Sequence, residues 1–261
     1  MAIKINSVDV WIKNNSILED INININSGEL VILIGPNGCG KTTLLRAILN
    51  IIDHQSGSIK VSGKNIVKTK RKTLSREISY LPQIKQTLPP IKVKKFLLFS
   101  RFPYLGFLSS YKREDIEKVN EISSEFKIES LLDRQISTLS GGELQRVLIA
   151  SAVVQQTDII FLDEPTTFLD PNHRWEIFNL IEKINRKENK TIVLVTHFLE
   201  YVLNFGQKII ALKDGKVYFS GNVKKLHDNK VLNELYNFDL NIFKHGENYL
   251  IDFPKKDRNV T

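Results

Sequence analysis

The chain has 261 residues, 42% of them hydrophobic, one cysteine and a formal charge of +8. That length suffices for one large domain or two small ones and for a sizeable core, and a lone cysteine excludes an internal disulfide framework, in keeping with a reducing cytoplasm. No apolar stretch approaches the roughly 18 to 20 residues needed to cross a bilayer, and the first residues lack the pattern of a secretory signal. The lysines are scattered, with few aromatics between them, so a solvated basic surface is expected rather than a nucleic-acid groove.

In chain order, residues 3–12 and 21–26 alternate apolar and polar positions (Ile3, Ile5; Val8, Val10, Ile12; Ile21, Ile23, Ile25), the period of half-buried, antiparallel strands. Residues 30–34 (LVILI) are continuously apolar, as expected of a strand covered on both faces. The stretch Gly35-Pro36-Asn37-Gly38-Cys39-Gly40-Lys41-Thr42-Thr43 follows it directly and fits the phosphate-loop pattern G-x-x-x-x-G-K-[ST]. Glycines let the backbone wrap phosphates, Lys41 neutralises the β and γ oxygens, and the Thr42 hydroxyl is placed to ligate Mg²⁺. Residues 43–49 read as a helix whose free N–H groups face the anion.

From about residue 93 to 154 the periodicity is helical: Ile116, Val119, Ile122, Ser123 and Phe126 share one face, and Leu144, Val147, Leu148 and Ser151 another. Within it, Leu139-Ser140-Gly141-Gly142-Glu143 opens a helix with a serine N-cap and two glycines, a second potential anion site. One nucleotide needs only one such end, so two of them predict a ligand shared between two copies of the chain. Two further buried strands follow, residues 159–162 and 191–195, each ending in polar residues: Asp163 and Glu164 after the first, His197 after the second. Asp163 is placed to hold Mg²⁺ and Glu164 to polarise an attacking water. The turn dipeptide Asp214-Gly215 joins two short strands. The pattern predicts an α/β fold: a P-loop NTPase core with a mainly parallel sheet, an N-terminal antiparallel β part and a helical insertion. Its expected divisions are residues 1–87 and 156–230 for the core, 88–155 for the helical part and 231–261 for a tail.

These stretches together resemble the nucleotide-binding subunit of an ABC transporter. The likeness runs from about residue 3 to 221: Walker A is residues 35–42, Walker B residues 159–163, and LSGGE at 139–143 matches the family's LSGGQ signature. The resemblance implies ATP and Mg²⁺ as cofactors and carries over Glu164 as the catalytic carboxylate, Gln83 as the Q-loop residue at the metal, Asp170 as the D-loop aspartate and His197 as the switch histidine. Ser140, Gly141 and Gly142 would reach the ATP of a partner copy in an ATP-dependent homodimer. Two departures stand out. The adenine-stacking aromatic of the family aligns with Ile12, next to Trp11, and Trp11 is preferred. Cys39 replaces the usual small residue, so the thiol is expected within the phosphate loop, where alkylation would block hydrolysis.

Residues 93–106 (VKKFLLFSRFPYLG) are similar to the region V-x-x-x-V-x-x-G-R-x-P-x-x-G of ATPases that serve iron-siderophore, haem and cobalamin uptake, with Ser100 where the glycine usually stands. Residues 111–119 and 235–239 continue that likeness. It implies a peripheral ATPase on the cytoplasmic face of the cell membrane, working on separate permease subunits, and through them with a substrate-binding protein. The alternative is the ATPase of an importer for another solute, or of an exporter or lipoprotein-release system, whose core motifs are nearly the same.

Overall fold

The computed structural model describes residues 1–83, 88–106, 109–167, 169–227 and 230–253. Its strands are β1 (Ile3–Ile12), β2 (Asn15–Ile25), β3 (Leu30–Ile34), β4 (Ser58–Val61), β5 (Lys64–Asn65), β6 (Ile78–Leu81), β7 (Ile159–Asp163), β8 (Thr191–Val195), β9 (Lys208–Lys213), β10 (Lys216–Asn222), β11 (Asn241–His245) and β12 (Asn248–Asp252). Its α-helices are α1 (Lys41–Ile48), α2 (Arg71–Leu74), α3 (Val93–Phe99), α4 (Arg113–Glu125), α5 (Gly141–Val154), α6 (Pro171–Glu188), α7 (Leu199–Phe205) and α8 (Lys230–Tyr236). None of the described helices is long and apolar enough to cross a membrane.

The central sheet has the order β10-β9-β3-β8-β7-β6, and every neighbouring pair is parallel except β10 with β9. The apolar runs of β3, β7 and β8 are buried at all five positions, because helices and a second sheet cover both faces. Parallel pairing brings their carboxyl ends to one edge, where an open α/β sheet receives ligands. β6 and β9 also belong to this parallel array. Short and mixed runs such as Ile78-Ser79-Tyr80-Leu81 do not announce it.

β1 and β2 pair antiparallel in a second sheet of order β2-β1-β4-β5, which packs with α1 against one side of the central sheet. Its alternation is interrupted rather than strict. A bulge around Ser7, whose φ is +44°, lets Ile5 and Val8, three residues apart, both enter the core.

Helices α3 to α6 share a core with the other side of the sheet, where Val93, Val147 and Phe178 meet Ile160 and Leu194. The expected inward face of α4 is corrected at one position. Val119, Ile122, Ser123 and Phe126 are buried, but Ile116 is exposed, and Asp115 goes inward instead because Arg101 is buried there to receive it. Beyond β10, residues 230–252 form α8 and the β11–β12 hairpin, and Leu232, Leu235 and Leu240 pack on β3, β9 and α7. Residues 254–261 of the expected tail lie outside the described residues, as does Phe168 of the D-loop stretch.

Candidate functional site

The phosphate loop leaves β3 at Gly35 and enters α1 at Lys41. Gly35 has φ +144°, and a Cβ there would lie 2.1 Å from the Leu212 carbonyl oxygen, so the backbone passes a point closed to any side chain. Gly40, at φ +103°, would drive a Cβ to 2.5 Å from Leu18. Lys41 is 8% exposed, and its Nζ donates to the carbonyls of Gly35 (2.7 Å) and Pro36 (2.9 Å). The ammonium is thus held over the loop it serves.

Thr42 Oγ1 donates to Asp163 Oδ2 at 2.9 Å, joining the first turn of α1 to the end of β7 across 121 residues of sequence. The Tyr80 hydroxyl donates to the same oxygen at 3.3 Å from the neighbouring β6. Burial pushes the Asp163 carboxyl up, the Thr42 bond pulls it down, and the charge of Glu164 adds to the rise. Burial and the Asp163 charge push the Tyr80 phenol up to about 12. A buried carboxylate facing a threonine hydroxyl is a pair of hard oxygen donors, the kind that fits Mg²⁺.

Glu164 has φ +52°, a left-handed conformation that turns its side chain away from that of Asp163, and its N–H donates to Val195 O at 3.1 Å. One carboxylate oxygen accepts from Gln83 Nε2 at 2.8 Å and from Thr167 Oγ1 at 3.2 Å, and His197 Nδ1 lies 3.8 Å from it. Gln83, Glu164 and His197 leave the ends of β6, β7 and β8. The parallel sheet therefore gathers them although 114 residues separate the first from the last.

A cavity of about 870 Å³ is lined by Gly35, Pro36, Asn37, Gly38, Gly40, Lys41, Thr42 and Thr43, together with Gln83, Glu164 and His197. Its remaining walls are Ile17 and Tyr236, neither of which the motifs indicate. Ile17 is placed by the β1–β2 hairpin, and Tyr236 closes α8. Trp11 is 47% exposed and does not line this cavity; it pairs with Ser16 in the β1–β2 ladder, and its backbone N–H donates to Gln55. The apolar residue that reaches the phosphate loop is Ile17. Cys39 lies under the loop, 6% exposed, with Sγ 3.8 Å from Lys41 Nζ. Burial raises its thiol, against the opposing charge of Lys41.

Ser140, Gly141 and Gly142 do not line this cavity, although Gly141 borders a smaller one, of about 110 Å³, with Gln83 and Glu164. Ser140 caps α5: its Oγ accepts from Glu143 N at 3.4 Å while its own N–H donates to Glu143 Oε2 at 2.8 Å. Asp170 caps α6, accepting from His173 N at 3.1 Å, and the His173 side chain holds its carboxyl below the usual range. Neither lines the phosphate-loop cavity.

The comparisons with known proteins follow the same lines. The ABC transporter family profile matches residues 18–167. The relative named "Probable siderophore transport system ATP-binding protein YusV", of Bacillus subtilis, is 37% identical over 210 residues, covering 80% of this chain and 76% of the relative. The iron(3+)-hydroxamate import ATP-binding protein FhuC of Bacillus subtilis is 34% identical over 226 residues, 87% of this chain and 84% of the relative. Among solved structures, a dimeric ATP-binding cassette in a post-hydrolysis state bound to ADP and phosphate superposes with a TM-score of 0.74 at 28% identity, over 85% of this chain and 98% of that one. A profile match over more than half of the sequence, relatives aligned over most of both chains, and a phosphate loop seated at the edge of a parallel sheet agree on one conclusion: this chain belongs to the ABC transporter family, as one of its ATP-hydrolysing subunits.

Proposed function

We propose that this chain drives the import of an iron-siderophore complex, as a peripheral subunit on the cytoplasmic face of a membrane permease supplied by other chains. The substrate class rests on the relatives named for siderophore and iron(3+)-hydroxamate transport. A nucleotide-binding core (1–87 and 156–230) carries a helical part (88–155) that meets the permease, and residues 231–261 follow. Within the helical part, Phe99 and Phe102 are exposed, whereas Arg101 between them is buried and paired inside the fold. The permease contact is therefore assigned to the residues flanking Arg101.

The observation that carries the mechanism is the single cavity bordered by Lys41, Thr42, Gln83, Glu164 and His197. The loop amides and Lys41 bind the triphosphate of ATP. Thr42, Asp163 and Gln83 would hold Mg²⁺, which supplies charge neutralisation at the phosphates. Among the described residues no group of three or more His, Cys, Asp or Glu is gathered to hold a metal. Glu164 orients the attacking water, and His197, within reach of the same carboxylate, steadies the charge that develops on the γ-phosphoryl. Ser140, Gly141 and Gly142 face the ATP of a second copy, and Asp170 meets that copy beside them. This is why these four stand off the cavity of their own chain.

Uptake of radiolabelled ferric siderophore, haem and cobalamin tests the substrate class, in cells whose own copy of the subunit is replaced by Glu164→Gln. Loss of siderophore uptake alone is expected. Undiminished siderophore uptake with loss of another solute would overturn the assignment.

A further inference from the structure

Of the two side chains in the nucleotide cavity that belong to none of the nucleotide-binding motifs, Ile17 and Tyr236, only the second carries a polar group. Tyr236, the last residue of α8, forms wall with Gly35, Lys41, Glu164 and His197. It also borders a second, apolar cavity of about 370 Å³, closed by residues 197–200 on one side and by Phe238, Leu240, Ile251 and Phe253 on the other. The Tyr236 hydroxyl is sealed from solvent and has no hydrogen-bond partner among the described residues, although the Gly35 N–H lies beside it. Burial pushes the phenol up to about 12 against the pull of that N–H, so at neutral pH it is an uncharged O–H with its donor and acceptors unused. Buried polar groups without partners are rare in native structures, because each retains its desolvation penalty.

The helix behind this hydroxyl is anchored to both sides of the nucleotide site. Leu232 and Leu235 are fully buried in one cluster with Ile32 and Ile34 of β3, the strand that leads into the phosphate loop. The same cluster contains Val202 and Leu203 of α7, the helix that follows His197. Asn204 of α7 then fixes the hairpin: its Nδ2 donates to Tyr249 O and its Oδ1 accepts from Tyr249 N, both at 2.8 Å. The Phe238 and Phe253 rings close the cluster with centroids 5.8 Å apart. A small movement of the loop toward Tyr236 is therefore felt by α8 and by the hairpin beyond it.

We propose that Tyr236 is a positioning residue: in the nucleotide-loaded protein its hydroxyl accepts the Gly35 N–H of the phosphate loop, so that occupancy of the site tightens residues 230–252 against the core. The proposal rests on the nucleotide reading of the cavity. It makes the two states respond with opposite sign to removal of one oxygen. Without nucleotide the hydroxyl is unpaired, and its loss costs the fold nothing; with nucleotide it is paired, and its loss weakens binding.

The test is Tyr236→Phe, which keeps the ring, with Mg²⁺ and ADP as the probe because ADP is not turned over. The variant is expected to melt at the wild-type temperature or above in the absence of nucleotide, and to bind ADP about three- to tenfold more weakly, the effect of one neutral hydrogen bond. ADP is expected to slow amide exchange across residues 241–252 in the wild type and to do so less in the variant. ADP affinity equal to wild type, or a lower melting temperature without nucleotide, would overturn the proposal. Failure of the wild type to bind ADP would instead refute the reading of the cavity.

Discussion

Replacing Arg101 with Met removes a guanidinium that three segments of the helical region share. Its Nε donates to Asp115 Oδ1 at 2.8 Å, and one Nη donates to Val154 O at 3.0 Å and to Gln156 Oε1 at 2.8 Å. The two charged side chains are only 10% and 8% exposed. In the variant Asp115 keeps the Lys112 backbone N–H at 2.9 Å but loses its cation. The carboxyl then either stays charged while buried or takes up a proton, and the second route caps the cost. Protonating a group with an ordinary pKa near 4 costs about 4 kcal/mol at pH 7, at about 1.4 kcal/mol per pH unit. With the lost bonds to Val154 and Gln156 included, the expected destabilisation is about 3 to 5 kcal/mol at pH 7. Its pH dependence has a definite sign. Burial alone would raise Asp115, but the Arg101 and Lys112 hydrogen bonds and charges outweigh it and hold the carboxyl below its ordinary value. In the wild type that contribution is present above the unfolded pKa and is lost as pH falls through the lowered folded value. In the variant burial raises Asp115, so the variant recovers stability as pH falls from that raised value toward about 4. Urea midpoints of both proteins at pH 7, 6 and 5 should therefore converge, by up to about 1.4 kcal/mol per unit. A penalty below about 1 kcal/mol at pH 7, or one independent of pH, would refute the reasoning.

Two further outcomes follow from the site. Tyr80→Phe removes a donor from Asp163 Oδ2 and leaves Thr42 as its remaining side-chain donor. Manganese titration of the ATP complex should show metal bound several-fold more weakly, while ATP binding in EDTA is unchanged; equal metal affinity would contradict the role given to Tyr80. Cys39 is buried and its thiol raised, so at pH 8 less of it is thiolate than in a free cysteine and maleimide labelling should be at least about tenfold slower. Labelled protein should lose ATP hydrolysis, and full activity after stoichiometric labelling would contradict the placement of the thiol under the loop.

The strands that carry the site were legible because each is covered on both faces and reads as an unbroken apolar run: residues 30–34, 159–162 and 191–195. β6 was not, since a run of four with a buried serine looks like many surface segments, and β9, legible as a short strand before the Asp214-Gly215 turn, gave no sign that it joins the parallel array. The Ser140 and Asp170 caps follow from local chemistry within three residues, and such features can be read from sequence. The bond from Gln83 to Glu164 spans 81 residues and depends on the order of the sheet, which no local pattern encodes. The place of Tyr236 at the cavity was hidden for the same reason: the likeness at 235–239 gave it no role, an aromatic on a short apolar helix reads as core, and only the packing of α8 on β3 turns it toward the phosphate loop. Asp115 going inward in place of Ile116 shows the limit of periodicity, because a buried arginine elsewhere in the chain outranked hydrophobicity.

In the proposed cycle ATP is enclosed by two copies of this chain, one presenting its phosphate loop and the other Ser140, Gly141 and Gly142. Light scattering of Glu164→Gln with Mg²⁺ and ATP, followed by the structure of that complex, tests it most directly. A stable dimer is expected, in which those amides of each copy lie on the γ-phosphate held by the other. A monomer with ATP bound, or a dimer joined through any other surface, would contradict it.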